Sequence, residues 1–285
     1  MKSAKHRQVI ATCRDFLSQW GRYLLPLGFL GLFLALEKSP VSPLFGVAIF
    51  LSLVYAVISD FLPAKPSGKA IQSSVWDVAY SLGAAVALWL AISFILSTSK
   101  PINVVTSCSM LPVLHRGDLV VLQGGQISVP SARAYLSIKP SDIVTGTCTR
   151  RYYGGSKEEV PCTVGLNLSG QSIMRNYSND IVVYEPQPAV YGLIIHRAFA
   201  NIEFGNKSFL LTKGDNNQFL DQQSGINAVT PDRVHGKAVL TVPVVGYLKI
   251  FLFAGIDSLK LAFSGNLARA LTPFESPPGC DYETN

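Results

Sequence analysis

The feature that most constrains the fold is a run of nineteen uncharged, mostly apolar residues, Val78–Leu96. A helix of this length spans the roughly 30 Å hydrocarbon core of a bilayer. Two further uncharged runs precede it, Tyr23–Leu36 and Ser39–Ser59. The first is short, so it is predicted to span only if Arg22 reaches back to the lipid surface; a buried or interfacial helix is the alternative. Charged residues make up 15% of the chain, against about 25% in a typical soluble domain, which favours a membrane-embedded part.

The distribution of basic residues predicts the orientation of these segments. Residues 1–99 hold eight basic and four acidic residues, and two of the basic ones, Lys65 and Lys69, lie in the linker after the second segment. Because basic loops stay on the cytoplasmic side, the N-terminal tail and this linker are both predicted to be cytoplasmic. Both placements require three spans, so the chain after Lys100 is predicted to lie outside the cytoplasm. None of the segments ends in a convincing cleavage site, so they are expected to remain as anchors.

The exported part is predicted to be rich in β-strands. Short β-rich runs such as Asp118–Leu122, Asp180–Tyr184 and Ala238–Val245 are separated by Gly, Pro, Asn and Ser. Val244–Phe263 is apolar but is interrupted by three charged residues. A strand followed by a membrane-surface segment is favoured there over a fourth span. The predicted fold class is therefore α+β, with N-terminal transmembrane helices followed by a β-dominated domain.

The five cysteines and the basic residues exclude some classes of site. No pair of cysteines has the CxxC spacing of a metal site. Cys148 and Cys162 flank a Gly/Tyr-rich stretch and could form a disulfide in an oxidising compartment, with two free thiols as the alternative. No concentrated Lys/Arg face of the kind that a nucleic-acid binder needs is visible, so nucleic acid is not an expected partner.

The stretch Thr106–Gln123 is the best candidate for carrying chemistry. It begins ten residues after the third predicted span, and its small residues lead into Met-x-Pro and a Gly-Asp turn that opens a strand. A serine held there can expose its hydroxyl to neighbouring backbone N–H groups, as an acyl-transfer nucleophile requires. Ser109 is the candidate, although an ordinary surface serine in a turn is the alternative.

A serine nucleophile needs a base, and the chain has four histidines. His6 lies in the predicted cytoplasmic tail, whereas His115, His196 and His235 lie in the exported part. His196 is the best placed, because strand alternation through Leu193–His196 could aim it into a pocket. A third cluster, Thr212–Asp221, combines turn residues with carboxylates, so it forms either a plain hairpin loop or a site that orients the imidazole.

In this order these stretches resemble the type I signal peptidases, in their archaeal and endoplasmic-reticulum branch. The resemblance covers residues 101–252, a little over half the chain. Five boxes match: residues 107–118 the serine box, 180–184 the central strand, 195–197 the position of the base, 213–221 the acidic box, and 234–246 the closing strand. In the bacterial enzymes the base position carries lysine, and here it carries histidine.

The resemblance implies a role for each matching residue. Ser109 is the nucleophile, His196 the general base and Asp221 the acid that orients it. Asp215 is a supporting carboxylate, and the resemblance leaves open which of the two carboxylates contacts His196. The hydroxyl of Ser107 would assist the backbone N–H of Ser109 in the oxyanion hole.

The resemblance also implies a function and an organisation. The chain is expected to cleave signal peptides from exported preproteins after small residues, without a metal or organic cofactor. Residues 1–99 would hold the tail and about three transmembrane helices, residues 100–255 the peptidase domain with an inserted lobe at about 124–178, and residues 256–285 a membrane-surface segment and tail. Expected partners are preproteins, the bilayer and the protein-export channel. An archaeal cell membrane is favoured over the endoplasmic reticulum, because the chain is long and carries extra spans.

Two alternatives to this function are a related peptidase with a Ser–Lys dyad and other substrates, and a catalytically inactive membrane receptor or scaffold on the same fold. The residue at the base position argues against the Ser–Lys dyad, because it is His196. The lysine nearby, Lys213, is explained by its place in the acidic box. Retention of Ser109, His196 and Asp221 together argues against the second.

Overall fold

The computed structural model describes residues 21, 23–36, 42–61, 68–133, 138–152, 155–189, 192–263 and 280. The chain divides into two compact units. One comprises residues 1–88 and 247–275, and the other comprises residues 89–246 and 276–285.

Four helices are described: α1 (Tyr23–Ala35), α2 (Ser42–Phe61), α3 (Gly68–Ile95) and α4 (Tyr247–Phe263). Within α3, Val75–Ile95 is long and apolar enough to cross a membrane, with a mean hydropathy of 2.0, and it is the one such helix among the described residues. Its side chains from Val75 to Ala91 are all exposed, as expected for a surface that faces lipid. The other two predicted spans correspond to shorter apolar helices.

Helix α4 occupies Tyr247–Phe263, where the sequence predicted a strand and then a membrane-surface segment; the predicted strand is not formed between Val244 and Phe263. Tyr247 and Phe251 stand one turn apart on the helix and are buried against Phe33 of α1, with ring centroids 5.7 and 4.7 Å from it. The three charged residues that interrupt the apolar run, Lys249, Asp257 and Lys260, are exposed on the side of the helix away from these rings, so a helical period accommodates them. The boundary predicted at residue 255 therefore falls inside this helix.

The second unit is built on a seven-stranded sheet. Its strands are β1 Ile102–Val104, β2 Leu119–Gln123, β3 Ser131–Arg133, β7 Ile181–Tyr184, β8 Ile194–Phe204, β9 Lys207–Lys213 and β10 Val234–Val242. The strand order is β1-β2-β10-β7-β8-β3, with β9 also paired to β8, and all pairs are antiparallel except β3 with β8. With the N-terminal helices, this strand-rich unit confirms the α+β prediction.

A smaller sheet lies within the segment predicted as an inserted lobe. It pairs β4 (Ile143–Arg151), β5 (Lys157–Leu168) and β6 (Gln171–Met174) in antiparallel order. Leu166 and Ile173 from this sheet share a buried cluster with Phe199 and Leu211 of the large sheet. The small sheet is thus packed onto the large one, rather than being exposed on both faces.

The central strand β7 determines where the functional side chains meet. Val182, Val183 and Tyr184 are fully buried, so this strand is apolar along nearly its whole length. It lies between β10 and β8, and its pairing places Val182 opposite His196. The next pairing, of β8 with β9, places Arg197 opposite Lys213.

Candidate active site

Ser109 lies in a turn between β1 and β2 that is anchored from below by apolar side chains. Met110 and Leu114 are buried, and the N–H of Leu114 donates to the carbonyl of Met110 at 3.0 Å. The carboxylate of Asp118 accepts the N–H of His115 at 2.8 Å and closes the turn before the strand starts. The Met-x-Pro and Gly-Asp pattern therefore holds Ser109 between a buried residue and a capped turn.

The structure brings Ser109, His196 and Asp221 together. His196 Nε2 lies 2.9 Å from Ser109 Oγ, and His196 Nδ1 lies 2.7 Å from Asp221 Oδ2. The side chains of His196 and Asp221 are 9% and 4% exposed, so the pair is shielded from water. Because a carboxylate can only accept, Nδ1 carries the proton and Nε2 is left to accept the hydroxyl proton of Ser109. This is the arrangement of a nucleophile, a general base and a group that orients the base.

Two residues that the sequence did not identify hold the Asp221 carboxylate in place. Tyr184 donates its hydroxyl to Asp221 Oδ2 at 2.8 Å, and Thr212 donates to the same oxygen at 2.6 Å. Burial raises the pKa of Tyr184, and the negative charge of Asp221 raises it further, so the phenol remains a neutral donor. The hydroxyls supply hydrogen bonds that a buried carboxylate needs in place of water.

Asp215 makes a different contact. Arg197 Nε donates to Asp215 Oδ1 at 2.9 Å and Arg197 Nη2 donates to Oδ2 at 2.7 Å, with the two side chains 9% and 2% exposed. Arg175 donates to the backbone carbonyl of Asp215 at 2.5 Å. Both ring nitrogens of His196 are engaged by Ser109 and Asp221, so the carboxylate of Asp215 pairs with Arg197 and not with His196.

Lys213 lies beside the site but is directed at the backbone. Its side chain is buried, and Nζ donates to the carbonyl of Asn217 and, at 3.5 Å, to that of Gly214. Burial lowers the pKa of Lys213 to about 8, helped by the positive charge of Arg175, while the two nearby aspartates act in the opposite direction. The contacts of Lys213 are those of a residue that closes the Gly-Asp-Asn-Asn turn.

Ser107 and Asn216 complete the surroundings of the nucleophile. Ser107 Oγ lies 3.1 Å from Ser109 Oγ. Asn216 donates its backbone N–H to the carbonyl of Ser109 at 2.8 Å and its side-chain amide to the carbonyl of Cys108 at 3.1 Å. Gly214 packs so closely that an added Cβ would lie 2.7 Å from the carbonyl oxygen of Ser109. The acidic box therefore fixes the nucleophile turn as well as supplying Asp221; its Gly-Asp-Asn-Asn turn was the available signal for Asn216.

Two disulfides frame this region. Cys148 and Cys162 are bonded, which decides between the two alternatives left open by the sequence. Cys108 is bonded to Cys280, 172 residues away. Because Cys108 directly precedes Ser109, this second bond ties the nucleophile turn to a distant part of the chain.

A cavity of about 270 Å³ opens at the nucleophile. Its lining includes Ser107, Ser109, Asn216, Arg150 and Phe219. The cavity leaves the hydroxyl of Ser109 accessible from outside the domain.

Comparisons with known proteins agree with this geometry, although no protein-family model matches the chain. An uncharacterized protein of Methanocaldococcus jannaschii is 26% identical over 176 residues, which are 53% of this chain and 83% of that protein. The signal peptidase complex catalytic subunit of Colletotrichum graminicola is 26% identical over 194 residues, 67% of this chain and 86% of that protein. The corresponding subunit of Clavispora lusitaniae is 28% identical over 182 residues, 62% of this chain and 80% of that protein. With its N-terminal helices and strand-rich unit, the chain is similar in sequence to these signal peptidase catalytic subunits and to the archaeal protein, and its α+β fold agrees with that similarity.

Proposed function

We propose that this protein is an active membrane-bound serine endopeptidase that removes N-terminal signal peptides from exported preproteins, cutting after small residues. The observation that carries the proposal is the continuous hydrogen-bonded chain from Ser109 Oγ through His196 to Asp221. The relatives named as signal peptidase catalytic subunits support the substrate class.

The contacts support a mechanism of acyl transfer. Ser109 Oγ attacks the scissile carbonyl while its proton passes to His196 Nε2, and Asp221 stabilises the imidazolium that results. The developing oxyanion would be held by the backbone N–H of Ser109 and the hydroxyl of Ser107. His196 then returns the proton to the leaving amine of the mature protein, and the signal fragment remains as an ester on Ser109. Water activated by His196 hydrolyses that ester.

Membrane anchoring would contribute to substrate binding. A signal peptide is an apolar segment, and the exposed apolar surface of α3 indicates that the enzyme shares its bilayer. Confinement to one membrane raises the effective concentration of the substrate. We place the catalytic unit on the exported side, in an archaeal cell membrane rather than the endoplasmic reticulum, with preproteins and the export channel as partners.

The proposal is tested with the full chain in proteoliposomes and a preprotein whose cleavage is followed by gel shift. Ser109→Ala and His196→Ala should each lower the rate by at least about 10³-fold. His115→Ala is the matched control, since that histidine is exposed in the same turn. This variant should cleave the preprotein at the rate of the unmodified chain.

Three outcomes contradict the proposal. Full activity of Ser109→Ala excludes the serine mechanism. Loss of cleavage in a folded Lys213→Ala protein, with activity retained in His196→Ala, favours the Ser–Lys dyad instead. If the unmodified chain binds the preprotein but does not cleave it, the inactive receptor is favoured.

A further inference from the structure

The cavity beside Ser109 contains an unused positive charge. Among its described lining residues, Arg150 is the charged one, and the rest are small, polar or aromatic. Arg150 is half-buried at the end of β4, with its guanidinium carbon 5.2 Å from the ring centroid of Tyr152. A guanidinium held over an aromatic face by a cation–π contact keeps its N–H groups available to bind a ligand.

The carboxylates nearest along the neighbouring strand are occupied by other groups. Glu158 pairs with Arg150 in the strand register, but its carboxylate accepts the hydroxyl of Tyr152 at 2.6 Å. The carboxylate of Glu159 accepts the hydroxyl of Thr149 at 2.6 Å. Within the described part of the chain, Arg150 has no carboxylate at ion-pair distance, in contrast with Arg197, which is paired with Asp215.

The end of β4 is hydrogen-bonded to the acidic-box turn that also binds the Ser109 turn. These hydrogen bonds fix the backbone position of Arg150. The side chain of Asn216 accepts the N–H of Arg151 at 2.7 Å and donates to the carbonyl of Arg151 at 2.7 Å. The same Asn216 binds the carbonyls of Cys108 and Ser109. One side chain thus bridges the small sheet and the serine turn, so Arg150 and Ser109 share a wall whose geometry is held by hydrogen bonds.

We propose that Arg150 is a specificity-determining residue that pairs with an acidic side chain of the preprotein close to the scissile bond. The inference rests on the proposed function, since the ligand is the polypeptide that Ser109 cleaves. An extended chain advances about 3.3 Å per residue. Residues within about three positions of the scissile bond therefore pass through the cavity that holds both side chains. A carboxylate at one of these positions supplies the planar partner that a guanidinium binds with two hydrogen bonds.

The test measures the preference of the full-length enzyme for acidic substrates. One preprotein is prepared with Ala, Asp or Lys at each of three positions on either side of the cut, while the small residues before the cut are kept wherever cleavage requires them. The unmodified enzyme should show a kcat/KM ratio of Asp to Ala of about fivefold at one position, as a partly exposed ion pair commonly contributes. Arg150→Gln should bring that ratio close to one, and Arg150→Glu should reverse it in favour of Lys. Arg133→Gln is the matched control, because Arg133 is an exposed arginine of β3 paired with Glu203, and it should keep the ratio.

A binding arm separates this inference from the proposed function. The same peptides are titrated onto Ser109→Ala protein with and without Arg150→Gln, and the ratio of Kd values for Asp and Ala peptides is compared. This ratio reports on Arg150 even if the enzyme proves not to cleave. The inference is overturned if the unmodified protein shows no preference for Asp at any position, or if the preference survives Arg150→Gln. It is also overturned if Arg150→Gln removes only a stimulation by anionic lipid vesicles, because the ligand is then a headgroup and not the substrate.

Discussion

Changing Asp215 or Asp221 of the acidic box to asparagine should affect stability and cleavage differently. Asp221→Asn keeps the size of the side chain but removes the charge next to His196 Nδ1. Asp215→Asn removes the charge that pairs with Arg197. The first change should abolish cleavage by a protein that remains folded, and the second should lower the stability of a protein whose chemistry is intact.

The magnitudes follow from the charge that each substitution leaves behind. A guanidinium stays charged at any physiological pH, so Asp215→Asn leaves Arg197 buried and unpaired at a cost of about 3–5 kcal/mol. Asp221→Asn leaves no buried cation of this kind behind, since Nδ1 of His196 donates to Asp221 while Nε2 accepts from Ser109. It should therefore lower the free energy of unfolding by only about 1–2 kcal/mol through weakened hydrogen bonds. For a unit of this size these values correspond to Tm decreases of about 10 °C and about 4 °C. In catalysis, loss of the orienting carboxylate costs roughly 10³- to 10⁴-fold in kcat in serine triads.

Both quantities can be measured on the same detergent-solubilised samples. Thermal unfolding is followed by intrinsic fluorescence, and single-turnover cleavage of a preprotein is measured well below the lower Tm. Asp232→Asn provides the control, because Asp232 lies in the short turn before β10, outside the site. The opposite pattern, in which Asp215→Asn loses kcat at unchanged Tm while Asp221→Asn stays active, would refute the assignment.

Three further predictions concern the surroundings of the site. Tyr184→Phe, which removes one of the donors to the Asp221 carboxylate, should lower kcat about tenfold and the free energy of unfolding by about 2 kcal/mol; unchanged single-turnover rates would contradict this. The pKa of Lys213 falls from 10.5 in the unfolded chain to about 8 in the folded one. The folded state therefore loses this proton first, and the free energy of unfolding should rise by about 3 kcal/mol between pH 8 and pH 10.5; denaturant titrations at both pH values should show that rise reduced in Lys213→Met. Replacing Cys148 and Cys162 by serine opens a bond that closes a separation of 14 residues, and it should cost about 3 kcal/mol; protease resistance equal to that of the parent would contradict this.

The order of the motifs allowed Ser109 and His196 to be proposed as partners from the sequence, and the structure places them in contact. Their local signals are short and self-contained: a Met-x-Pro turn before a strand, and a histidine ending an apolar run. The α+β fold class could be predicted for a similar reason, since an uncharged run and alternating short strands report on their own surroundings. The helix Tyr247–Phe263 could not, because three charged residues obscured its apolar face until Tyr247 and Phe251 were seen packed against Phe33.

By itself the sequence determined which candidate site residues are present and the order of the apolar segments and motifs. Both depend only on composition and on neighbours along the chain. It did not determine which aspartate serves His196, since Asp215 and Asp221 belong to one loop and have similar local surroundings. Which aspartate contacts His196 depends on the pairing of β8 with β9, which places Arg197 opposite Lys213. It also depends on the path of the following loop, which brings Asp221 to the hydroxyl of Tyr184. The bond from Cys108 to Cys280 and the bridge from Asn216 to Arg151 likewise join residues far apart in the chain. Only the tertiary structure could decide these contacts, because each depends on the path of the chain between its two ends.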